Sequence, residues 1–162
     1  ERATALKEEE NSMGGIVECR ISGVEAGLGE PVFDKLDAAL AHAMLSIGSV
    51  KGFELGAGFR VADMTGSEHN DEMGPDGFLS NNAGGIVGGI STGEEIVFRV
   101  AVKPTSSIAQ EQKTVDLHGN ERIIRTEGRH DACICPRIVP VVEAMASLVL
   151  EDHHKRQTAM VG

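Results

Sequence analysis

The 162-residue sequence predicts an α+β fold in which antiparallel-rich sheets pack against amphipathic helices. Three observations carry this expectation. Residues 16–22 and 96–102 alternate apolar and polar side chains with the two-residue period of a half-buried strand. Residues 31–48 and a segment ending at His153 each carry an apolar stripe with the 3.6-residue period of a helix. Glycine-bearing turns then join short alternating runs in the manner of hairpins.

Residues 1–10, with Glu8-Glu9-Glu10, read as the end of an acidic helix. In residues 16–22, Val17, Cys19 and Ile21 alternate with Glu18 and Arg20, so that one face packs and the other is wet. Pro31 after Glu30 signals a helix start, and Val32, Leu36, Leu40, Ala43, Met44 and Ile47 form one stripe before Gly48. Phe53/Leu55 and Phe59/Val61 flank Gly56-Ala57-Gly58, as in a hairpin. Residues 65–77 are polar and acidic, with Gly66, Gly74 and Pro75, and read as a surface loop. Residues 80–91 are too rich in glycine for a stable helix and must be held by their surroundings. Ile96, Phe98, Val100 and Val102 form a strand that delivers the chain into Lys103-Pro104-Thr105-Ser106-Ser107. Residues 113–117 and 121–125 form a second hairpin about His118-Gly119-Asn120. A final helix from Pro136 or Pro140 to His153 buries Val141, Val142, Met145, Leu148 and Val149, and the last residues fray.

The length allows one domain or part of a larger one. The first residue is Glu1 and the first methionine is Met13, so the chain reads as a fragment or processed piece. With 41% apolar and 25% charged residues it is globular rather than disordered. Fifteen basic against 25 acidic side chains give a net charge of −10, and Tyr and Trp are absent, which excludes a nucleic-acid partner. The longest apolar stretch, residues 138–150, is broken by Glu143 and is shorter than the ~20 residues of a bilayer span, so no membrane segment is expected. No signal or transit pattern stands at the N-terminus, and three cysteines cannot all pair; both point to a reducing, cytoplasmic setting.

Lys103-Pro104-Thr105-Ser106-Ser107 places a cation, three hydroxyls and backbone donors at a strand end, an inventory suited to gripping a phosphate. An ordinary turn whose hydroxyls cap the next segment has the same composition. Gly84 to Gly89 permits close approach of backbone or ligand, but it lacks the spacing of a nucleotide fingerprint. Gly128-Arg129-His130-Asp131 gathers a fixed cation, a group that titrates near neutrality and a carboxylate, a trio able to bind an anion and move a proton. The bland alternative has Asp131 capping backbone and Arg129 pairing with a nearby acid. An adjacent Arg129 favours the carboxylate form of Asp131, as a proton acceptor requires. Residues 99–137 hold seven basic and five acidic side chains, a balance of +2 inside an acidic chain, which suits a small phosphorylated anion. Cys133-x-Cys135 lacks zinc-site spacing and reads as two idle thiols, so no metal site is expected. His42, His69 and His118 read as structural or surface residues, and the pair His153-His154 as charge at a helix C-terminus.

Four segments in this order resemble the chorismate synthase family. They are Ala26-Gly27-Leu28-Gly29-Glu30-Pro31-Val32-Phe33-Asp34-Lys35-Leu36-Asp37, the glycine segment from Ser80 to Ser91, Lys103-Pro104-Thr105-Ser106-Ser107-Ile108, and Gly128-Arg129-His130-Asp131 with Pro140-Val141-Val142-Glu143-Ala144-Met145 after it. The resemblance covers the C-terminal portion of the family's chain, a little under half, so residues 1–162 would be an incomplete single domain. It implies the family's β-α-β sandwich and a cytoplasmic homotetramer. It also implies 1,4-anti elimination of phosphate from 5-enolpyruvylshikimate-3-phosphate to give chorismate, with reduced FMN required and NADPH as a flavin reductant. Asp131 matches the family's catalytic aspartate. Flavin contacts would be Gly48, Ser49, Gly88, Lys103, Pro104, Thr105, Ser106, Ser107 and Arg129. The family's Ser-His-Gly and Arg-Ser-Ser-Ala-Arg segments do not occur in this sequence, so the 162 residues alone are expected to be inactive. A non-catalytic anion-binding or assembly module that uses residues 103–107 as its grip is the alternative.

Overall fold

The computed structural model describes residues 2–161. Helix α1 (Arg2–Glu8) has no buried residue. Strand β1 (Gly15–Ile21) buries Val17 and Cys19 and exposes Glu18 and Arg20, the alternation its sequence prescribes.

Helix α2 is Leu36–Ser46, five residues later than the Pro31 signal suggests. Glu30 and Asp34 exchange backbone hydrogen bonds of 2.8 and 3.0 Å, closing residues 31–33 into a turn that leaves Val32 and Phe33 exposed. Val32 therefore leaves the buried stripe, while Leu36, Leu40, Ala43 and Met44 keep it. The first amide of α2, Leu36 N, donates to Gly89 O (2.8 Å), so the glycine segment satisfies an otherwise orphaned helix donor.

Strand β2 (Val50–Leu55) does not form the expected hairpin with Phe59 and Val61. Gly56 and Gly58 adopt left-handed φ of 54° and 60°, and residues 58–63 wind into a 3-10 helix. Glu54 accepts from Phe59 N (3.2 Å) and Arg99 donates to Gly56 O (2.7 Å), which fixes the turn against strand pairing. Residues 65–77 are likewise more ordered than a surface loop: a capping box between Thr65 and Glu68 starts α3 (Gly66–His69), and β3 (Met73–Gly74) pairs with β4 (Gly77–Phe78).

The glycine segment forms the small hairpin β5 (Ile86–Val87) and β6 (Ile90–Ser91) and is held from outside. The Asp71 carboxylate accepts from Ser80 Oγ (2.6 Å), Asn82 N (2.7 Å) and Ala83 N (2.8 Å). Asn81 bridges Glu95 O and Gly85 N at 2.7 Å each. At Gly84 (φ 69°) a β-carbon would stand 2.6 Å from Gly56 Cα, so close backbone packing explains this glycine.

Strand β7 (Ile96–Val102) is the centre of a three-stranded antiparallel sheet ordered β1-β7-β2, with a bulge between Val50 and Gly52. Strands β8 (Gln112–Val115) and β9 (Glu121–Ile124) form the expected second hairpin, exposed along its whole length. Helix α4 runs Cys135–Val161, continuous through Pro140 and well past His153. Its buried stripe is Ile138, Val142, Ala146 and His153; Val141 and Leu148, expected inside, are exposed. The helix stripe thus rotates slightly from the one the apolar residues alone suggest.

Helices α2 and α4 cover one face of the sheet, where Ile96, Phe98, Val100 and Val102 meet Leu40, Met44 and Val142 in a single core. The opposite face carries Glu18, Arg99 and Glu54 in register across the three strands, with Arg99 Nε 2.6 Å from Glu54 and Nη1 3.6 Å from Glu18. No helix among the described residues is long and apolar enough to cross a membrane.

Candidate active site

The site stands at the end of the sheet where β7 finishes and β1 and β2 begin. Val102 faces both Gly15 and Val50, so Lys103 emerges beside the turn that follows α2. Lys103 N donates to Ser49 O (2.8 Å), joining two candidate residues that lie 54 positions apart in sequence. Ser49 holds a left-handed φ of 73°, a conformation that costs a residue with a β-carbon and is retained where the surroundings demand it. Lys103 Nζ donates to Pro104 O (3.2 Å) and has no acidic partner among the described residues.

Residues 11–14 close the other side. Ser12 Oγ donates to Thr105 O (2.6 Å), and Met13 N donates to Ala132 O (2.7 Å), which brings the Gly128–Asp131 stretch alongside residues 103–107. Ser107 Oγ lies 3.3 Å from His130 Nδ1. A cavity of about 210 Å³ opens between these segments, lined among others by Ser12, Ser107, Arg129, His130 and Asp131. Thr105 Oγ1 and His130 Nε2 are buried without a hydrogen-bond partner.

Asp131 does not cap backbone. Its carboxylate meets the Arg137 guanidinium on the first turn of α4, with Nε to Oδ2 at 2.9 Å and Nη2 to Oδ1 at 3.3 Å. The cation at this carboxylate is therefore Arg137, whereas Arg129 is exposed and makes no hydrogen bond or ion pair among the described residues. Arg137, Ser12 and the Ser107–His130 contact were not legible as site features, because each depends on which irregular segments the fold brings together.

Gly88 stands apart. It neighbours Gly89 at the N-terminal end of α2, whereas Gly48 and Ser49 follow its C-terminal end, roughly 16 Å away at 1.5 Å per residue. Its φ is 63° and the space where a β-carbon would project is open. Gly88 instead lines a larger cavity of about 830 Å³ with His69, Asp71 and Asn82. Burial pushes the Asp71 carboxyl up, but donation from Ser80, Ala83 and Asn82 outweighs it and holds the group below its ordinary value, with a smaller contribution from His69.

The thiols are unpaired: burial and then the neighbouring Cys133 push Cys135 up, and burial and then Glu143 do the same for Cys19. No group of three or more His, Cys, Asp or Glu among the described residues is placed to hold a metal ion. The pair His153-His154 does not end α4; His153 is buried, and His154 Nδ1 lies 2.8 Å from Glu25.

The sequence profile of chorismate synthase matches residues 1–154. The chain belongs to the chorismate synthase family. It is 54% identical over 166 aligned positions to chorismate synthase of Opitutus terrae, covering all of this chain and 46% of that protein. It is 58% identical over 160 positions to chorismate synthase of Desulfosudis oleivorans, covering 99% and 45%. A crystal structure of chorismate synthase superposes with a TM-score of 0.73 at 34% identity, covering 93% of this chain and 40% of that one. The chain thus spans under half the length of the chorismate synthases it matches.

The donor set around residues 103–107 fits a phosphorylated, electron-rich ligand of the kind the family employs. Lys103 carries an unneutralised charge, and Thr105 Oγ1 and His130 Nε2 are polar atoms that lack partners.

Proposed function

We propose that the intact protein converts 5-enolpyruvylshikimate-3-phosphate to chorismate and phosphate by 1,4-anti elimination with reduced FMN, as a cytoplasmic homotetramer with NADPH as a flavin reductant. Residues 1–162 are read as the C-terminal portion of its single domain. The observation that carries the reading is the meeting of Ser107, the last residue of the 103–107 segment, with Arg129, His130 and Asp131 around one cavity in a member of this family. The family match favours this over a non-catalytic anion-binding module.

When bound, reduced FMN would supply electron density to the substrate as the C–O bond to phosphate breaks. The chain's own residues then have separable tasks. Lys103 and Arg129 offset anionic charge, and Thr105, Ser106 and Ser107 donate hydroxyl hydrogen bonds. Gly48, Ser49 and Pro104 shape the backbone wall beside them, and Gly88 is a contact at the far end of α2. Asp131 is the carboxylate that accepts the proton lost in the elimination.

The test compares the 162-residue chain with a protein completed to its relatives' length, both supplied with reduced FMN. Chorismate forms only with the completed protein; turnover by the 162 residues alone would contradict a site shared with the remainder. In the completed protein, Asp131→Asn retains FMN affinity while kcat falls by about 100-fold or more. Equal loss of both would assign Asp131 to flavin positioning instead.

A further inference from the structure

We propose that Arg137 is a positioning residue that fixes the orientation of the Asp131 carboxylate before the reaction. This rests on the reading of Asp131 as the proton acceptor. The guanidinium engages both carboxylate oxygens, Nε with Oδ2 at 2.9 Å and Nη2 with Oδ1 at 3.3 Å, and such a two-pronged contact defines a plane as well as a distance. No other donor reaches this carboxylate among the described residues. An ionised carboxylate has about four lone-pair sites, so the fork leaves the remaining ones free to take a proton.

The two partners differ in how they are anchored. Asp131 belongs to an irregular stretch tied down on either side, by the His130–Ser107 contact and by the bond from Met13 N to Ala132 O. Neither tie reaches its side chain. Arg137 lies in the first turn of a 27-residue helix, next to Ile138, which is buried in the core against the sheet. The helix therefore lends its rigidity to a carboxylate that its own segment leaves free to rotate.

Exposure argues against a role in holding the fold together. The Arg137 side chain is 74% exposed and that of Asp131 40%, and pairs of this kind contribute little to stability. Lysine would supply the charge without the fork, so Arg137→Lys separates the two contributions.

The experiment uses the enzyme completed to its relatives' length, with Arg137→Ala, Arg137→Lys, Asp131→Asn and the double variant Arg137→Ala/Asp131→Asn. Arg137→Ala lowers kcat by roughly 10- to 100-fold, while KM, FMN affinity and melting temperature stay near those of the parent. Arg137→Lys recovers part of the loss, and the double variant is no slower than Asp131→Asn alone, because Arg137 acts through Asp131. A crystal structure of the Arg137→Ala variant of the completed enzyme shows Asp131 spread over more than one rotamer. Unchanged kcat in Arg137→Ala, losses that multiply in the double variant, or a single unaltered Asp131 rotamer would each overturn the proposal. A parent that forms no chorismate, or an Asp131→Asn variant with full activity, would instead overturn the reading on which it rests.

Discussion

Thr105 carries a hydroxyl that is buried and unpartnered, and a group in that state costs about 1–3 kcal/mol in lost hydration. Replacing it with the near-isosteric valine removes the cost along with the hydroxyl. Thr105→Val is therefore expected to raise the stability of the 162-residue chain by about 1 kcal/mol in a denaturant titration. The same change should weaken FMN binding by the completed enzyme several-fold; a chain that is destabilised and binds flavin normally would show that Thr105 has only a packing role. Residues 103–107 were legible because a strand pattern ran directly into a cation and three hydroxyls. Arg137 was not, since nothing local to positions 131 and 137 states that an irregular turn ends with its carboxylate facing the first turn of a helix.

At the scale of elements, the glycine hairpin depends on one carboxylate outside it. Asp71 satisfies two backbone amides and a hydroxyl, and Asp71→Ala orphans the amides of Asn82 and Ala83 at a cost of about 1–3 kcal/mol. The pH dependence follows from the depressed folded-state value of this group. Its contribution is complete above the ordinary aspartate value of about 3.9, declines below it, and is gone once pH has passed through the lower folded value. Acid unfolding of the parent and of Asp71→Ala should consequently converge below pH ~4. A constant gap between the two across that range would place the stabilisation elsewhere. Nothing in residues 65–77 announced this role, because the acceptor and its three donors are about ten positions apart and joined only by tertiary folding. Strands β1 and β7 were readable because solvent and core enforce a period of two on their faces. The hairpin after Leu55 was misread for a related reason: Phe59 and Val61 mimic the alternation of a strand, yet both are exposed on a 3-10 helix.

At the largest scale, helices α2 and α4 cover one face of the three-stranded sheet, and most of the core lies between those layers. The β8–β9 hairpin lies outside that arrangement: all eight of its strand residues are exposed, including Val115, Ile123 and Ile124. An isolated two-stranded hairpin is marginally stable. Brief trypsin treatment of the 162-residue chain is expected to cut first at Lys113 and Arg122, leaving the sheet and α4 associated. First cuts within the sheet or α2 would contradict this division of stability. The hairpin also has a bearing on the site that contact distances do not express. The chain leaves at Ser107 and returns at His130, so residues 108–129 form a noose whose neck is one side-chain contact and the bond from Thr126 N to Ile108 O. Closing a flexible loop costs entropy that grows with the logarithm of its length, and each halving recovers about 0.6 kcal/mol. Pairing β8 with β9 removes most of those residues from the effective loop. The hairpin thereby shortens the thermodynamic distance between residues 103–107 and Asp131 without touching either.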